Sequence, residues 1–175
     1  MEDIPRVLVF TGEGKGKTTA ALGMAMRACG HSMRVAMMQF VKTRKETGEI
    51  AAARQLDGFE IDQVGLGWVP EPDDSEFARH REAATVGLEK AANCIEAAES
   101  DLLILDEICY AVSAGLLEEA TVIDLIRSAP AEMILVLTGR GATEGLIALA
   151  DTVTEMRCVK HAMREGRKAQ RGVEL

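Results

Sequence analysis

The sequence is poor in aromatic side chains. Its 175 residues include one Trp, one Tyr and four Phe, an aromatic content of 3%, whereas 47% of the chain is hydrophobic and 27% is charged. The core must therefore consist mainly of Ala, Val, Leu, Ile and Met. The balance of apolar and charged residues is typical of globular proteins, and a chain of this length buries a sizeable core. We expect one domain over residues 1–175.

The chain also lacks an excess of positive charge and long apolar runs. The formal net charge of −8 argues against nucleic acid as a main partner, because binding a phosphate backbone requires a basic face. A local basic pocket for a nucleotide stays possible. No apolar run approaches the roughly 20 residues that span a bilayer, so we expect no membrane insertion. The opening MEDIPRVLVF has neither the basic nor the apolar region of a signal peptide.

Cysteine and histidine are few and scattered. The cysteines form no CxxC pair and no cluster with histidine, which argues against a zinc site. Unpaired cysteines fit a reducing cytosol, so we expect a cytoplasmic protein. The residues concerned are Cys29, Cys94, Cys109, Cys158, His31, His80 and His161.

Short apolar runs alternate with segments of helical periodicity. This alternation predicts an α/β fold, a mostly parallel sheet with helices on both faces. Residues 65–74 contain two glycines and two prolines and are predicted to form a loop. The tail from Arg157 is polar and basic. Predicted strands are Arg6–Phe10, Arg34–Phe40, Phe59–Val64, Leu102–Leu105, Ile134–Leu137 and Thr152–Met156; predicted helices are Lys17–Cys29, Glu49–Leu56, Ser75–Glu99, Glu118–Ser128 and Leu146–Ala150.

The strongest motif is TGEGKGKTT, at positions 11–19, which follows a strand and opens a helix. This context is typical of a phosphate loop, in which glycines let backbone N–H groups surround an anion at a helix N-terminus. Lys17, interpreted as lying on an exposed loop, would reach the β- and γ-phosphates, and the Thr18 hydroxyl would ligate Mg²⁺. Thr11 stands where the common pattern has glycine, and Gly12 and Gly14 would supply the turn instead. The alternative is a glycine-rich turn without a ligand.

Two other strand ends carry suitable side chains. DLLILDE ends in Asp106 and Glu107, and in phosphate-loop proteins such an acid holds the metal or its water. The sequence leaves open which of the two binds directly. Arg140 follows the strand Ile134–Leu137, and ligands gather at the carboxyl ends of parallel strands. Arg140 could clamp phosphate oxygens through two hydrogen bonds, or it could be a solvated surface arginine.

The ordered series of motifs resembles the ATP:corrinoid adenosyltransferase family over nearly the whole chain. Thr11 in the phosphate loop is a feature of that family. The series also argues against the alternatives of a small kinase or ATPase and of a non-catalytic, nucleotide-gated corrinoid carrier. The matching segments are FTGEGKGKTTAA (10–21), QFVK (39–42), GE (48–49), LDEI (105–108), LTGRGA (137–142), ADTVTEM (150–156) and VKHAMREGRKAQRGVE (159–174).

The resemblance implies a RecA-like P-loop fold and a particular reaction. Reduced Co(I) of a corrinoid attacks the ribose C5′ of Mg-ATP, a cobalt–carbon bond forms and triphosphate leaves, in adenosylcobalamin biosynthesis or salvage. No protein base is required, because the cobalt is the nucleophile. The protein positions the reactants and neutralises the leaving group. Lys17 and Arg140 are the expected catalytic residues.

The resemblance also implies a set of binding residues and partners. A flavin-type reductase would supply the electrons, and the protein would be a homodimer. Thr18, Glu107 and Asp106 would lie at the Mg²⁺. The nucleotide-binding residues would be Gly12, Glu13, Gly14, Lys15, Gly16, Lys17, Thr18, Thr19 and Arg140.

The segment GLGW, residues 65–68, corresponds to a family stretch that usually reads G-F-T-W. Leu66 and Trp68 would therefore lie at the lower corrin face, where the family's aromatic residues help to displace the axial ligand. Leu66 replaces the family's Phe, and Trp68 is kept. The alternative for Trp68 is a loop residue that covers the core. The C-terminal run would form either a basic rim, made of Lys160, Arg164, Arg167 and Lys168, or a solvated tail.

Overall fold

A computed structural model describes residues 4–43 and 47–173 of the chain. Its strands form a six-stranded sheet in the order β3-β2-β4-β5-β1-β6, and every pairing between neighbours is parallel. The predicted α/β class and parallel sheet are confirmed. The strands are β1 (Arg6–Thr11), β2 (Val35–Gln39), β3 (Phe59–Gln63), β4 (Leu102–Asp106), β5 (Ile134–Thr138) and β6 (Thr152–Glu155).

Helices connect successive strands, as parallel pairing requires. Their bounds agree with the predicted ones to within a few residues, except at the segments discussed below. The helices are α1 (Lys17–Cys29), α2 (Gly48–Ala53), α3 (Phe77–Glu96), α4 (Ile108–Ser113), α5 (Glu119–Ser128) and α6 (Glu144–Leu149). No helix among the described residues is long and apolar enough to cross a membrane.

The sheet has a hydrophobic core on each face. Along β4, Leu103 and Leu105 belong to the core shared with α3, α4, α5 and α6, whereas Leu102 and Ile104 belong to the core shared with α1 and α2. All four side chains are at most 2% exposed. Successive residues of a strand point to opposite faces, so a strand covered on both sides is apolar throughout. The predicted placement of helices on both faces is confirmed.

Helix α1 is held close to the sheet by small side chains. Ala21, Ala25 and Ala28 recur at helical spacing, and their exposure does not exceed 5%. Because alanine is short, the helix axis lies near the sheet, and its first residue, Lys17, comes directly after the phosphate loop. Alanine packing therefore places the helix N-terminus beside the ends of the central strands.

Helix α3 is shorter than the predicted Ser75–Glu99. It begins at Phe77 and ends at Glu96. The predicted helix includes Ala98, but this residue has a φ of 49°, which a right-handed helix cannot contain. Ala84, Leu88 and Ala91 recur at helical spacing and lie on the buried face of the helix.

Two short elements were not predicted. Helix α4 is only six residues long and largely apolar, and Ile108, Cys109, Ala111 and Val112 are buried, so its sequence shows no amphipathic pattern. The predicted tail contains a single 3₁₀ turn at Ala162–Glu165. Of the segments named in the sequence analysis, residues 1–3 of the opening and Glu174 at the end of the family-like run lie outside the described residues.

Candidate active site

The phosphate loop connects β1 to α1 and packs against the segment that follows β6. The Gly14 N–H donates a hydrogen bond of 2.6 Å to the Met156 carbonyl. A Cβ atom at Gly14 would lie 2.7 Å from the carbonyl oxygens of both Met156 and Arg157, which is too close for any side chain. Glycine is therefore required here by close packing of two backbones, and the loop is held in one position by its neighbour.

Thr11 has a structural reason to replace the usual glycine. Its side chain is only 9% exposed, and its hydroxyl oxygen accepts a hydrogen bond of 3.2 Å from the Ala142 N–H. This bond joins the start of the phosphate loop to the segment after β5, which carries Arg140. The departure from the common motif therefore links two parts of the same site.

Lys17 is buried, which corrects the expectation of an exposed loop residue. It is the first residue of α1 and is 7% exposed. Its ammonium group donates to the carbonyl oxygens of Gly12 at 2.6 Å and Gly14 at 2.8 Å. Burial lowers the pKa of Lys17, and Arg140 lowers it further, while the carboxylates of Glu107, Glu13 and Asp106 oppose the shift.

Asp106 is the centre of a buried hydrogen-bonded cluster. Its carboxylate is fully shielded from solvent at the end of β4. One oxygen, Oδ1, accepts from the hydroxyls of Thr18 at 2.9 Å and Thr138 at 2.7 Å. The other, Oδ2, accepts from the Gln39 amide at 3.2 Å. The carboxylate thus joins the start of α1 to the ends of β2 and β5.

Glu107 lies in a less common backbone conformation. Its φ of 64° is in the left-handed region, and its N–H donates to the Thr138 hydroxyl at 2.9 Å. Such conformations cost free energy and concentrate at functional sites. Burial, followed by the Asp106 carboxylate, raises the pKa of Glu107, and the cations of Lys17, Arg140 and Lys42 oppose the rise. Glu107 lines the cleft beside the phosphate loop, whereas Asp106 does not.

Arg140 lies across the phosphate loop from Lys17. Its guanidinium Nη1 is 3.3 Å from the Glu13 carboxylate Oε2, and both side chains are well exposed. An exposed ion pair of this kind contributes little to stability, so its groups exchange partners readily. Arg140 is therefore available to phosphate oxygens, and the structure brings it together with the loop, as predicted.

Lys17, Glu107 and Arg140 line one open cleft of about 580 Å³. Ligand sites typically measure roughly 300–1,000 Å³, so a nucleotide fits. Of the predicted nucleotide residues, only Gly12 does not reach its wall. The lining residues are Glu13, Gly14, Lys15, Gly16, Lys17, Thr18, Thr19, Leu22, Lys42, Gly48, Glu49, Ala52, Glu107, Arg140, His161, Gly172 and Val173.

Several cleft residues were not predicted. Lys42 and Glu49 form an ion pair at the wall, and both lie in motifs that carried the family resemblance without a role. Burial alone would raise the pKa of Glu49, but the hydrogen bond from Lys42, with a backbone hydrogen bond, brings it below its ordinary value. Leu22 and Ala52 gave no signal, because apolar residues on helices look like core.

In the C-terminal run, the residues that line the cleft are not the basic ones that the sequence singled out. His161, Gly172 and Val173 line the cleft, whereas the basic residues of this run do not. Arg164 lines a smaller cavity of about 260 Å³ beside Arg157 and Cys158, and Glu13 lines both this cavity and the cleft. The other basic residues of the run, Lys160, Arg167, Lys168 and Arg171, are exposed.

The GLGW segment lies away from this cleft. Leu66 lines a second cavity of about 440 Å³ together with Thr43 and residues of α3. The residue before Thr43, Lys42, lines the nucleotide cleft, so the two cavities adjoin at this point of the chain. Trp68 is 90% exposed, which overturns the alternative that it covers the core. A Cβ at Gly65 would lie 2.4 Å from the Phe40 carbonyl, so close packing fixes the start of the segment.

The oxygen atoms at the cleft suit a magnesium ion. Among residues 4–43 and 47–173, no group of three or more His, Cys, Asp and Glu side chains could hold a metal. Magnesium bound with a nucleotide needs only one or two protein ligands, because phosphates and water supply the rest. The Thr18 hydroxyl donates to Asp106, which leaves its oxygen lone pairs free, and Glu107 lines the same cleft.

A parallel α/β sheet, a glycine loop opening onto a helix, a buried lysine and an acid at a neighbouring strand end define a P-loop nucleotide-binding protein. The chain matches the model of the ATP:corrinoid adenosyltransferase family BtuR/CobO/CobP over residues 4–175. It belongs to this family.

Relatives with this activity in their names cover most of the chain. The corrinoid adenosyltransferase of Pseudomonas aeruginosa is 40% identical over 172 residues, which are 97% of this chain and 83% of the relative. That of Escherichia coli K12 is 36% identical over 170 residues, 96% and 84% of the two chains. The corrinoid adenosyltransferase CobA of Salmonella typhimurium is 35% identical with the same coverage.

Proposed function

We propose that this chain transfers the 5′-deoxyadenosyl group of ATP to the Co(I) centre of a reduced corrinoid, in adenosylcobalamin biosynthesis or salvage. An electron pair of cobalt forms the bond to C5′, the C5′–O5′ bond breaks, and triphosphate leaves with the electrons of that bond. The main support is family membership over residues 4–175, together with a phosphate-loop cleft that adjoins a second cavity. A kinase or ATPase, and a carrier without activity, are not favoured.

The protein's first task is to hold the triphosphate as charge builds on it. Lys17 is already dehydrated and directed by the carbonyls of Gly12 and Gly14, so phosphate oxygens can replace those partners with little movement. Arg140 would exchange Glu13 for phosphate oxygens. Both cations then stabilise the leaving group more strongly than they stabilise bound ATP, which accelerates the reaction.

Magnesium fits the site as a third source of positive charge. Thr18 and Glu107 would hold the ion, and Asp106 would act through the Thr18 hydroxyl, because Asp106 is fully buried and does not line the cleft. The bound ion would neutralise part of the triphosphate charge. This arrangement assigns direct contact to Glu107 and an indirect role to Asp106.

The corrinoid would lie at the second cavity, with Leu66 and Trp68 against its lower face. Both side chains are exposed, and Trp68 packs on little of the protein, so an aromatic surface is available for a flat ligand. The adjoining positions of Lys42 and Thr43 at the two cavities support transfer from one to the other.

Four broader features of the function rest mainly on the resemblance. The whole chain would act as one P-loop domain, and the enzyme would be a homodimer. A flavin-type reductase would supply Co(I). A cytoplasmic location is supported by the free state of Cys29, Cys94, Cys109 and Cys158.

The decisive test identifies the phosphate product. Mg-ATP and chemically reduced corrinoid are mixed with the protein, phosphorus NMR follows the phosphates, and absorbance follows a light-sensitive adenosylated corrinoid. We expect intact triphosphate in step with adenosylation. ADP formed in step with turnover would indicate a kinase or ATPase, and binding without any product would indicate a carrier; either result would contradict the proposal.

A further inference from the structure

Two glutamine side chains are buried at the carboxyl ends of neighbouring strands, beside the hydrogen-bonded cluster of Asp106. Gln39, the last residue of β2, is fully buried, and Gln63, the last residue of β3, is 6% exposed. The Gln63 side-chain Nε2 donates to the side-chain Oε1 of Gln39 at 3.0 Å, and the Gln39 Nε2 donates to Asp106 Oδ2 at 3.2 Å. The two amides thus form a directed chain that ends at the carboxylate.

This chain controls the orientation of the Asp106 carboxylate. The Thr18 and Thr138 hydroxyls hold Oδ1, and Gln39 holds Oδ2. With both oxygens held, the carboxylate cannot rotate without breaking a buried hydrogen bond. A fixed carboxylate fixes the direction of the Thr18 O–H, and the Thr18 oxygen lone pairs then have a fixed direction as well.

Glutamine is an expensive choice at these positions. A buried amide without partners destabilises the fold, whereas an apolar residue such as the adjacent Met38 has no polar group to desolvate. Glutamine offers what methionine cannot, because its amide accepts from one neighbour and donates to the next. The burial of two amides in series indicates that the hydrogen bond to Asp106 is what the residues supply.

We propose that Gln39 and Gln63 are positioning residues that set the magnesium affinity of Thr18 by acting through Asp106. The proposal deepens the proposed function, since it rests on Thr18 as a magnesium ligand. Neither glutamine is among the residues that line the nucleotide cleft. Gln63 lines the second cavity instead, so the test measures ATP binding, in which neither glutamine takes part directly.

Calorimetry of ATP binding, with and without Mg²⁺, tests this division. The variants are Gln39→Met and Gln63→Met, which keep side-chain length and remove the amides. Removing a residue that orients a metal ligand typically lowers metal affinity roughly 10–100-fold. We expect Gln39→Met to lose most of the gain in ATP affinity that Mg²⁺ provides, and Gln63→Met to lose less. ATP affinity without Mg²⁺ should match the wild type in both.

Met38→Leu is the matched control. It changes the neighbouring residue of β2, which is 7% exposed and belongs to the hydrophobic core. We expect a small change in stability and an unchanged magnesium gain. A loss of the gain in Met38→Leu as large as in Gln39→Met would overturn the proposal, because any disturbance of the strand would then have the same effect.

The remaining outcomes are also decisive. The two linked amides, here called the relay, have no positioning role if folded Gln39→Met keeps the full gain in ATP affinity from Mg²⁺. The same holds if it loses ATP affinity equally with and without Mg²⁺. If Gln39→Met does not fold, Gln63→Met decides, and a full gain in that variant overturns the proposal. A wild type that gains nothing from Mg²⁺ would remove the proposed magnesium site, and the relay with it. If Mg²⁺ raises the ATP affinity of the wild type and of both variants by the same factor, the magnesium site stands and the role of the relay is refuted.

Discussion

The nucleotide cleft and the GLGW segment differ in how far they are organised before any substrate arrives. At the cleft, Lys17 and Asp106 are buried and each holds at least two hydrogen bonds to the protein. In the GLGW segment, Leu66 is 45% exposed and Trp68 is 90% exposed. The first region is ready to bind charge, whereas the second presents apolar surface that the described residues leave exposed.

The sheet explains this difference. β1, β4 and β5 are interior strands, so groups at their ends have neighbours on both sides. β3 is an edge strand, and the segment that follows it has a strand on one side only. One sheet thus provides a rigid anion site at the ends of its interior strands and an open surface beside its edge strand.

Lys17→Ala should have the largest effect on this comparison. A charge-assisted hydrogen bond contributes about 1.5–3 kcal/mol, so we expect ATP affinity to fall roughly 10–150-fold by calorimetry, with the fold kept. Arg27→Ala, at the exposed far end of α1, is the control and should bind ATP normally. Unchanged affinity in a folded Lys17→Ala would refute the assignment of the phosphate loop.

Gly14→Ala should break the preformed region by geometry alone. The added methyl group would meet two backbone carbonyls at 2.7 Å, and overpacking of this kind costs about 1–3 kcal/mol. We expect a lower unfolding temperature and weaker ATP binding. Gly23→Ala provides the contrast, because its Cβ meets nothing within 4 Å and alanine favours a helix, so stability should rise by up to about 1 kcal/mol. Equal behaviour of the two variants would contradict the packing argument.

Trp68→Ala should affect the open region without changing stability. The side chain is almost fully exposed, so its removal costs no core packing and the unfolding temperature should stay the same. Adenosylation should slow several-fold when Co(II) corrinoid is reduced in the assay by a weak reductant, and less when Co(I) is supplied in excess. Met26→Ala, another exposed apolar residue, is the control. Normal rates in both assays would place the corrin face elsewhere.

Asp101→Asn should have the smallest effect, and only on stability. Hydrogen bonds from the Arg34 side chain, followed by one from the Arg34 N–H, lower the pKa of Asp101. A lowered carboxyl pKa stabilises the fold above the ordinary aspartate range, and this stabilisation is lost as pH falls through the folded-state pKa. The variant should melt slightly lower at neutral pH, and the difference should vanish in acid.

ATP affinity provides the second measurement for Asp101→Asn. Asp101 precedes β4, at the opposite end of that strand from Asp106. We expect calorimetry to show unchanged ATP binding. A change in affinity would mean that disturbances travel along the strand, and the contrast between a rigid and an open region would then be too simple.

Local patterns in the sequence predicted the parts of the molecule that depend on neighbours along the chain. Gly14, Lys17 and Thr18 lie in one short motif, and the apolar run before Asp106 indicated a buried strand. The ion pair of Lys42 and Glu49 was missed, because helix α2 folds back on the end of β2 and no spacing rule anticipates that contact.

Burial at the site was harder to predict than identity. The sequence indicated Lys17 as a phosphate ligand but placed it on an exposed loop, since exposure depends on how β6 and β1 pack around the loop. It indicated both Asp106 and Glu107. However, only Glu107 lines the cleft, and its left-handed backbone is held by a hydrogen bond to the Thr138 hydroxyl on another strand. Tertiary contacts decided both points.

Because Lys17 is hydrogen-bonded to its own loop, the free-energy cost of burying its charge is met when the protein folds and not when ATP binds. Removing an ammonium group from water is costly, and this protein completes that step when it folds, as its lowered pKa records. The ammonium group of Lys17 is therefore already removed from most of the water before ATP binds, and the phosphates would supply it with negatively charged oxygen atoms. By linkage, a ligand that binds only the native state adds to its stability in proportion to the logarithm of its concentration. The nucleotide would thus stabilise the folded protein as well as serve as its substrate.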